Sequence, residues 1–286
     1  MPEILPLVTS KNEVSKLTTM WAFVLVAAGW FANELALAWI HDRVPRQVEP
    51  LPDLWFSIFP EVRGAIHVTE YIMLFLVVNA LIVVICHQHR WIVMRRVFFC
   101  AALAYAFRAI CITLLQVPVP SKNTYCAPKG DGSLATTAER IVRTFWSAGI
   151  EQLRPRELCG DLIVSGHTLT LFLAVLTFRQ YTPRRLTYLG YVYQGLSYIA
   201  IICILLSRKH YCIDVLLGYV VVTRIFWTYH SLQYSFHQGE FDRNALSQTC
   251  WAWIVAVFEM DAPPPNLFLN VLEWPSSCPS KIRRTF

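Results

Sequence analysis

His210 and Asp214 stand four residues apart in Ser207-Arg208-Lys209-His210-Tyr211-Cys212-Ile213-Asp214, and another histidine sits about forty residues earlier in Ser165-Gly166-His167-Thr168. On a helix the first two share one face. The carboxylate can then accept a hydrogen bond from one ring nitrogen, fixing the tautomer and leaving the other nitrogen's lone pair for attack. The second imidazole can protonate a leaving alcohol and deprotonate an incoming one. Two histidines and a carboxylate could thus move a phosphoryl group without a metal or cofactor. His210 would be the nucleophile, Asp214 its orienting group and His167 the proton shuttle.

Neighbouring residues fit an anionic substrate. Gly166 lets backbone approach a phosphate, and amides at a helix N-terminus favour an anion. Ser165 could donate its hydroxyl to a phosphate oxygen. Arg108 lies inside an apolar segment, where a guanidinium must face the bundle and a partner. It reads equally as a lipid-phosphate clamp or as a structural residue, half of a buried ion pair or a snorkelling side chain. Arg208, next to Lys209 and His210, is a second clamp candidate, although an exposed loop arginine is the commoner case. Taken singly, HxxxD and SGH are weak signals, each compatible with a polar helix start.

The elements that must position these residues are membrane helices. Of 286 residues 55% are hydrophobic and 15% charged, with mean hydropathy +0.43. Soluble domains carry about a quarter charged residues, so lipid is the expected solvent. A net charge of +6 is mild and implies no nucleic acid. Nine cysteines contain no CxxC pair, which argues against a zinc ribbon or a thioredoxin-type motif. The first eighteen residues are mostly polar and do not read as a cleavable signal peptide.

Six segments approach the roughly 20 apolar residues that a span requires: 19–40, 66–87, 97–117, 160–179, 187–206 and 211–231. The expected fold is all-α, a six-span catalytic domain over 19–231 between an N-terminal tail 1–18 and a C-terminal tail 232–286. Arg90, Arg95 and Arg96 in one loop, and Arg179, Arg184 and Arg185 in another, place both loops and both tails in the cytosol. His167 and His210 then begin helices on the same lumenal or extracellular face. His87, His89, His230 and His237 fall on the opposite side. Cys126 and Cys159 lie in the lumenal 118–159 loop, an oxidising setting in which they are expected to pair. Trp251–Phe258 is too short to span and reads as an interfacial anchor.

From about Pro50 to His230 the chain resembles the sphingomyelin synthases, relatives of the type 2 phosphatidic acid phosphatases. The resemblance rests on Pro50-Leu51-Pro52-Asp53; Arg95-Arg96 with Tyr105, Arg108 and Pro118-Val119-Pro120; Cys159-Gly160-Asp161-Leu162-Ile163-Val164-Ser165-Gly166-His167-Thr168; and His210-Tyr211-Cys212-Ile213-Asp214-Val215. It implies that phosphocholine passes from phosphatidylcholine to ceramide through a phosphohistidine on His210, giving sphingomyelin and diacylglycerol. It also implies a membrane of the secretory pathway, Golgi or plasma membrane. Phosphatidylethanolamine is an alternative donor, and water an alternative acceptor as in lipid phosphate phosphatases. Those phosphatases usually show Lys-x6-Arg-Pro, whereas Arg154-Pro155 has Ser147 at that distance. Some family members carry an N-terminal SAM domain, for which eighteen residues leave no room. The expected partners are lipid substrates in an integral membrane setting, without nucleic acid, and with a homo-oligomer left open.

Overall fold

A computed structural model describes residues 11–46, 48–130, 133–147 and 158–274. The outermost parts of both expected tails, and Arg154-Pro155, lie outside these residues. Among the described residues nine α-helices follow in order: α1 (Lys11–Ile40), α2 (Leu54–Ile58), α3 (Ala65–Cys86), α4 (Arg90–Leu114), α5 (Leu134–Ser147), α6 (Gly166–Tyr181), α7 (Thr187–Leu206), α8 (Cys212–His237) and α9 (Ala252–Glu259). No β-strand occurs among the described residues, as an all-α fold requires.

Among the described residues five helices are long and apolar enough to cross a membrane: α1 from Ser15, α3, α4, α7 with the preceding turn, and α8. At 22 residues α3 is about 33 Å long, against a hydrocarbon core of about 30 Å. This is a multi-pass membrane protein. The remaining expected span, 160–179, differs. Helix α6 starts only at Gly166 and has 16 residues, about 24 Å. It is the central helix, packed against α3, α4, α7 and α8. Eleven of its sixteen residues are buried, so protein rather than lipid surrounds it.

The third span also differs from expectation, since α4 begins at Arg90 rather than near 97. Arg95 and Arg96 are therefore helical and buried instead of being loop charges. Their partners come from the segment after α8, which folds back onto the bundle. Arg95 pairs with Asp261 at 2.8 Å and Arg96 with Glu259 at 2.6 Å. Around Trp251–Phe258, α9 packs on α8 and α4 and buries Ala252, Val255 and Phe258, while Trp253 stays exposed. Further along, the Glu273 amide donates to the Cys86 carbonyl (2.6 Å), closing the strap over the α3–α4 turn.

Candidate active site

Three helix starts converge at the other end of the bundle. Ser165 is the N-cap of α6, its hydroxyl accepting the Thr168 amide at 3.4 Å. The Ser165 amide donates to the Asp214 carbonyl at 3.0 Å, tying the first turns of α6 and α8 together. Gly218 permits this approach, because a Cβ there would come within 3.0 Å of the Ser165 carbonyl and the Thr168 side chain. The two histidines consequently meet, with ring centroids 6.0 Å apart. Both rings are nearly buried, His167 at 8% and His210 at 2% exposure.

His210 Nδ1 lies 3.2 Å from the Leu162 carbonyl oxygen. That oxygen only accepts, so the ring proton belongs on Nδ1 and the lone pair on Nε2. The Asp214 carboxylate is 3.9 Å from the same Nδ1 and accepts the Tyr211 amide at 2.9 Å. It acts on the ring through charge at short range, while Leu162 makes the hydrogen bond expected of it. On the other histidine, Nε2 lies 3.9 Å from Oε1 of Glu70, a fully buried carboxylate in the second turn of α3. Glu70 belongs to no motif. Its one signal in the sequence is that it is the sole acidic residue in an apolar run of 22 residues.

Arg108 is 2% exposed and wholly engaged with protein groups. It pairs with Asp161, donates to Asn33 Oδ1, and gives its Nε hydrogen to the Val164 carbonyl at 2.8 Å. The guanidinium rests against the Gly166 backbone, where a Cβ would stand 3.3 Å from its central carbon. Arg108 is thus the buried ion pair of the two readings, and it shapes the loop that presents Ser165 and His167. Arg208 likewise donates to the Phe56 (3.0 Å) and Phe59 (3.3 Å) carbonyls and lies over the Phe56 ring, fastening α2 beside His210.

The flanking motifs meet around Tyr211. Its hydroxyl donates to the Pro118 carbonyl at 2.9 Å and accepts the Leu51 amide at 3.0 Å. Burial pushes its phenol pKa up, so it remains a donor. Asp53 caps two helices at once, accepting the Trp55 amide at 2.9 Å and the Cys212 amide at 2.8 Å. Cys126 and Cys159 form a disulfide, as their shared loop suggested. Buried His41 accepts the Cys159 amide on Nδ1 at 2.9 Å; burial lowers its pKa and keeps it neutral.

A cleft of about 530 Å³ opens on both histidines, walled by Ile66 and the Leu158–Leu162 segment, with Lys209 supplying positive charge. A cleft lined by two histidines and a lysine suits attack on a phosphodiester.

Residues 158–231, which hold both histidines, match the family model described as PAP2 superfamily C-terminal. A Caenorhabditis elegans protein named sphingomyelin synthase-related 2 is 57% identical over 94% of this chain and 82% of its own length. Two further proteins of that organism are named phosphatidylcholine:ceramide cholinephosphotransferase. Number 2 is 32% identical over 92% of this chain and 79% of its length. Number 1 is 36% identical over 75% of this chain and 46% of its length.

Proposed function

Because the chain belongs to the sphingomyelin synthase family, we propose that it transfers phosphocholine from phosphatidylcholine to ceramide, forming sphingomyelin and diacylglycerol. The observation that carries this reading is the pair of histidine rings 6.0 Å apart in one cleft. His210 Nε2 attacks the donor phosphorus, and the diacylglycerol oxygen leaves with a proton from His167. Ceramide's primary hydroxyl next gives its proton to His167 and attacks the phosphorus. The P–N bond breaks, returning its electron pair to His210. Asp214 at 3.9 Å stabilises the cationic phosphorylated ring, and Glu70 plays the same part for protonated His167. No metal or cofactor enters.

We place α6 as a sixth span within a catalytic unit of residues 19–231. Both termini are cytosolic and the cleft faces the lumen of the Golgi or the outside of the plasma membrane. The disulfide beside the cleft supports that side, since disulfides persist in oxidising compartments. A second reading, with phosphatidylethanolamine as donor, draws on the 57% identical relative being named only sphingomyelin synthase-related.

The test is reconstitution of purified protein with labelled ceramide and either phospholipid. Labelled sphingomyelin is expected with phosphatidylcholine, and a drop of at least 1,000-fold in His210→Ala. Labelled ceramide phosphoethanolamine alone would select the second donor. Absence of product with both would defeat the transferase reading, and full activity in His210→Ala would defeat the mechanism.

A further inference from the structure

A second cleft, of about 410 Å³, reaches His167 from the side of α1 and α4. Trp30 of α1 and Met73 of α3 line it. Helix α1 packs mainly on α4, and α3 mainly on α6 and α7, with this cleft among α1, α3, α4 and α6. Phe31 and Leu35, next in the chain to the lining residues Trp30 and Glu34, are exposed apolar residues on a helix long enough to span. Apolar residues exposed on α1 thus lie beside the cleft.

Its interior is polar. Asn33 Nδ2 donates to Glu34 Oε1 at 3.1 Å, and Asn33 Oδ1 accepts from Arg108. The Tyr105 hydroxyl lies 3.0 Å from Thr170 Oγ1. Glu34 itself is only 6% exposed, and its Oε2 has no hydrogen-bond partner among the described residues. A buried carboxylate oxygen without a donor is costly, and Glu34 lines this cleft, so a ligand there that brings a donor would relieve the cost.

We propose that this cleft seats the polar backbone of the acceptor lipid, with Glu34 Oε2 accepting a hydrogen bond from its amide N–H or secondary hydroxyl. The inference rests on the transferase reading above and adds how the acceptor is told from the donor. A long-chain amide alcohol such as ceramide carries both of those donors next to its primary hydroxyl. A diacylglycerol backbone has ester oxygens at the corresponding positions and cannot satisfy Glu34. His167 lines both clefts, so the primary hydroxyl meets the proton acceptor while the phosphoryl group sits on His210 in the first. The site then rejects the wrong acceptor by leaving its own buried oxygen unpaired, a form of discrimination stronger than shape alone.

The experiment compares two acyl-labelled acceptors with unlabelled phosphatidylcholine as donor in vesicles: ceramide, read as labelled sphingomyelin, and 1,2-diacylglycerol, read as labelled phosphatidylcholine formed by reversal of the first step. The readout is the ratio of kcat/KM for ceramide over diacylglycerol, which a general loss of folding does not move. Glu34→Leu should lower that ratio by about tenfold or more, as expected for a lost hydrogen bond to a charged group. Glu34→Gln, which keeps one acceptor oxygen, should lower it less. A ratio within about twofold of wild type in both variants, or parallel loss of both rates, would overturn the assignment of Glu34. Wild-type protein that converts neither acceptor would instead overturn the transferase reading itself.

Discussion

Replacing Glu259 by Gln should cost about 3–5 kcal/mol of stability while leaving turnover per folded molecule near wild type. Glu259 and Arg96 are 0% and 2% exposed and meet through two hydrogen bonds, at 2.9 and 2.6 Å. The Tyr229 hydroxyl donates to the same carboxylate at 2.8 Å, and His237 Nε2 lies 3.3 Å away. Burial alone would raise the pKa of Glu259, but the Arg96 guanidinium overrides it and holds the carboxyl well below the usual range. Gln keeps the shape and removes the charge, so Arg96 becomes a buried cation with no counter-charge on Glu259, the costly case for ion pairs. The double variant Arg96→Met/Glu259→Leu removes both charges and should recover to within about 1 kcal/mol of wild type. Arg96 and Arg108 are twelve residues apart on α4, about 18 Å along its axis, which insulates the histidines from the change. The assay is thermal unfolding in detergent of the wild type, Glu259→Gln and the double variant, with transfer normalised to folded protein. A loss below about 1 kcal/mol in Glu259→Gln, or a double variant no better than that single one, would refute the reasoning.

Two further outcomes are expected. Cys126→Ser should destabilise the protein by up to about 4 kcal/mol, the chain-entropy value for a separation of 33 residues. Peptide mapping without reductant that recovers Cys126 and Cys159 on separate peptides would refute the pairing. His87 is fully buried, accepts the His89 amide on Nδ1 at 3.0 Å and faces Asn270 through Nε2, so it fits only as neutral imidazole. Burial first, then His89 and Arg96, lower its pKa to about 4. The unfolded chain, with a histidine pKa near 6.5, binds the proton more readily between about pH 4 and 6.5, so stability falls as pH drops through that window. At pH 5 the loss relative to pH 8 is about 2 kcal/mol, and it should vanish in His87→Gln; an identical pH dependence in that variant would remove His87 as the cause.

The sequence made the helices legible wherever apolar length alone decides, as for α3, α7 and most of α8. It also singled out His167, His210 and Asp214 as a set, from the HxxxD spacing and the SGH turn, and the structure puts the two rings 6.0 Å apart. It did not show what Arg95 and Arg96 are, since their acids lie more than 160 positions away and a count of local charge treats both arginines as loop residues. The start of α6 was misjudged for a related reason. Residues 160–165 are apolar enough to extend a helix, but Arg108 draws the Val164 carbonyl aside and Asp161 turns back to pair with it. Pro50–Asp53 and Pro118–Pro120 were recognisable as motifs without a role; only the fold shows that both hydrogen-bond to the first turn of α8. Glu34 and Glu70 had weaker signals still, because an acidic residue in an apolar run says that a partner exists and not which one.

The two ends of the bundle are built on opposite principles, and this bears on how the histidines work. Just before each histidine the backbone enters the left-handed region, at Val164 (φ 61°) and at Arg208 (φ 49°). For a β-branched valine this is a true outlier, and such residues cost on the order of 1–3 kcal/mol each unless their surroundings over-determine them. Here the surroundings do so. Arg108 holds the Val164 carbonyl, the Ser165 amide is bound to Asp214, and Arg208 is held by the Phe56 and Phe59 carbonyls. Relaxing either turn would swing an imidazole out of the 6.0 Å pairing. The far end carries no such strain among the described residues and is closed instead by buried ion pairs and the C-terminal strap. A lipid phosphotransferase has to admit two bulky substrates at one end without loosening the helices that aim its histidines. Strain concentrated in two short turns, opposed by a locked distal end, meets that requirement in a way that uniform packing would not.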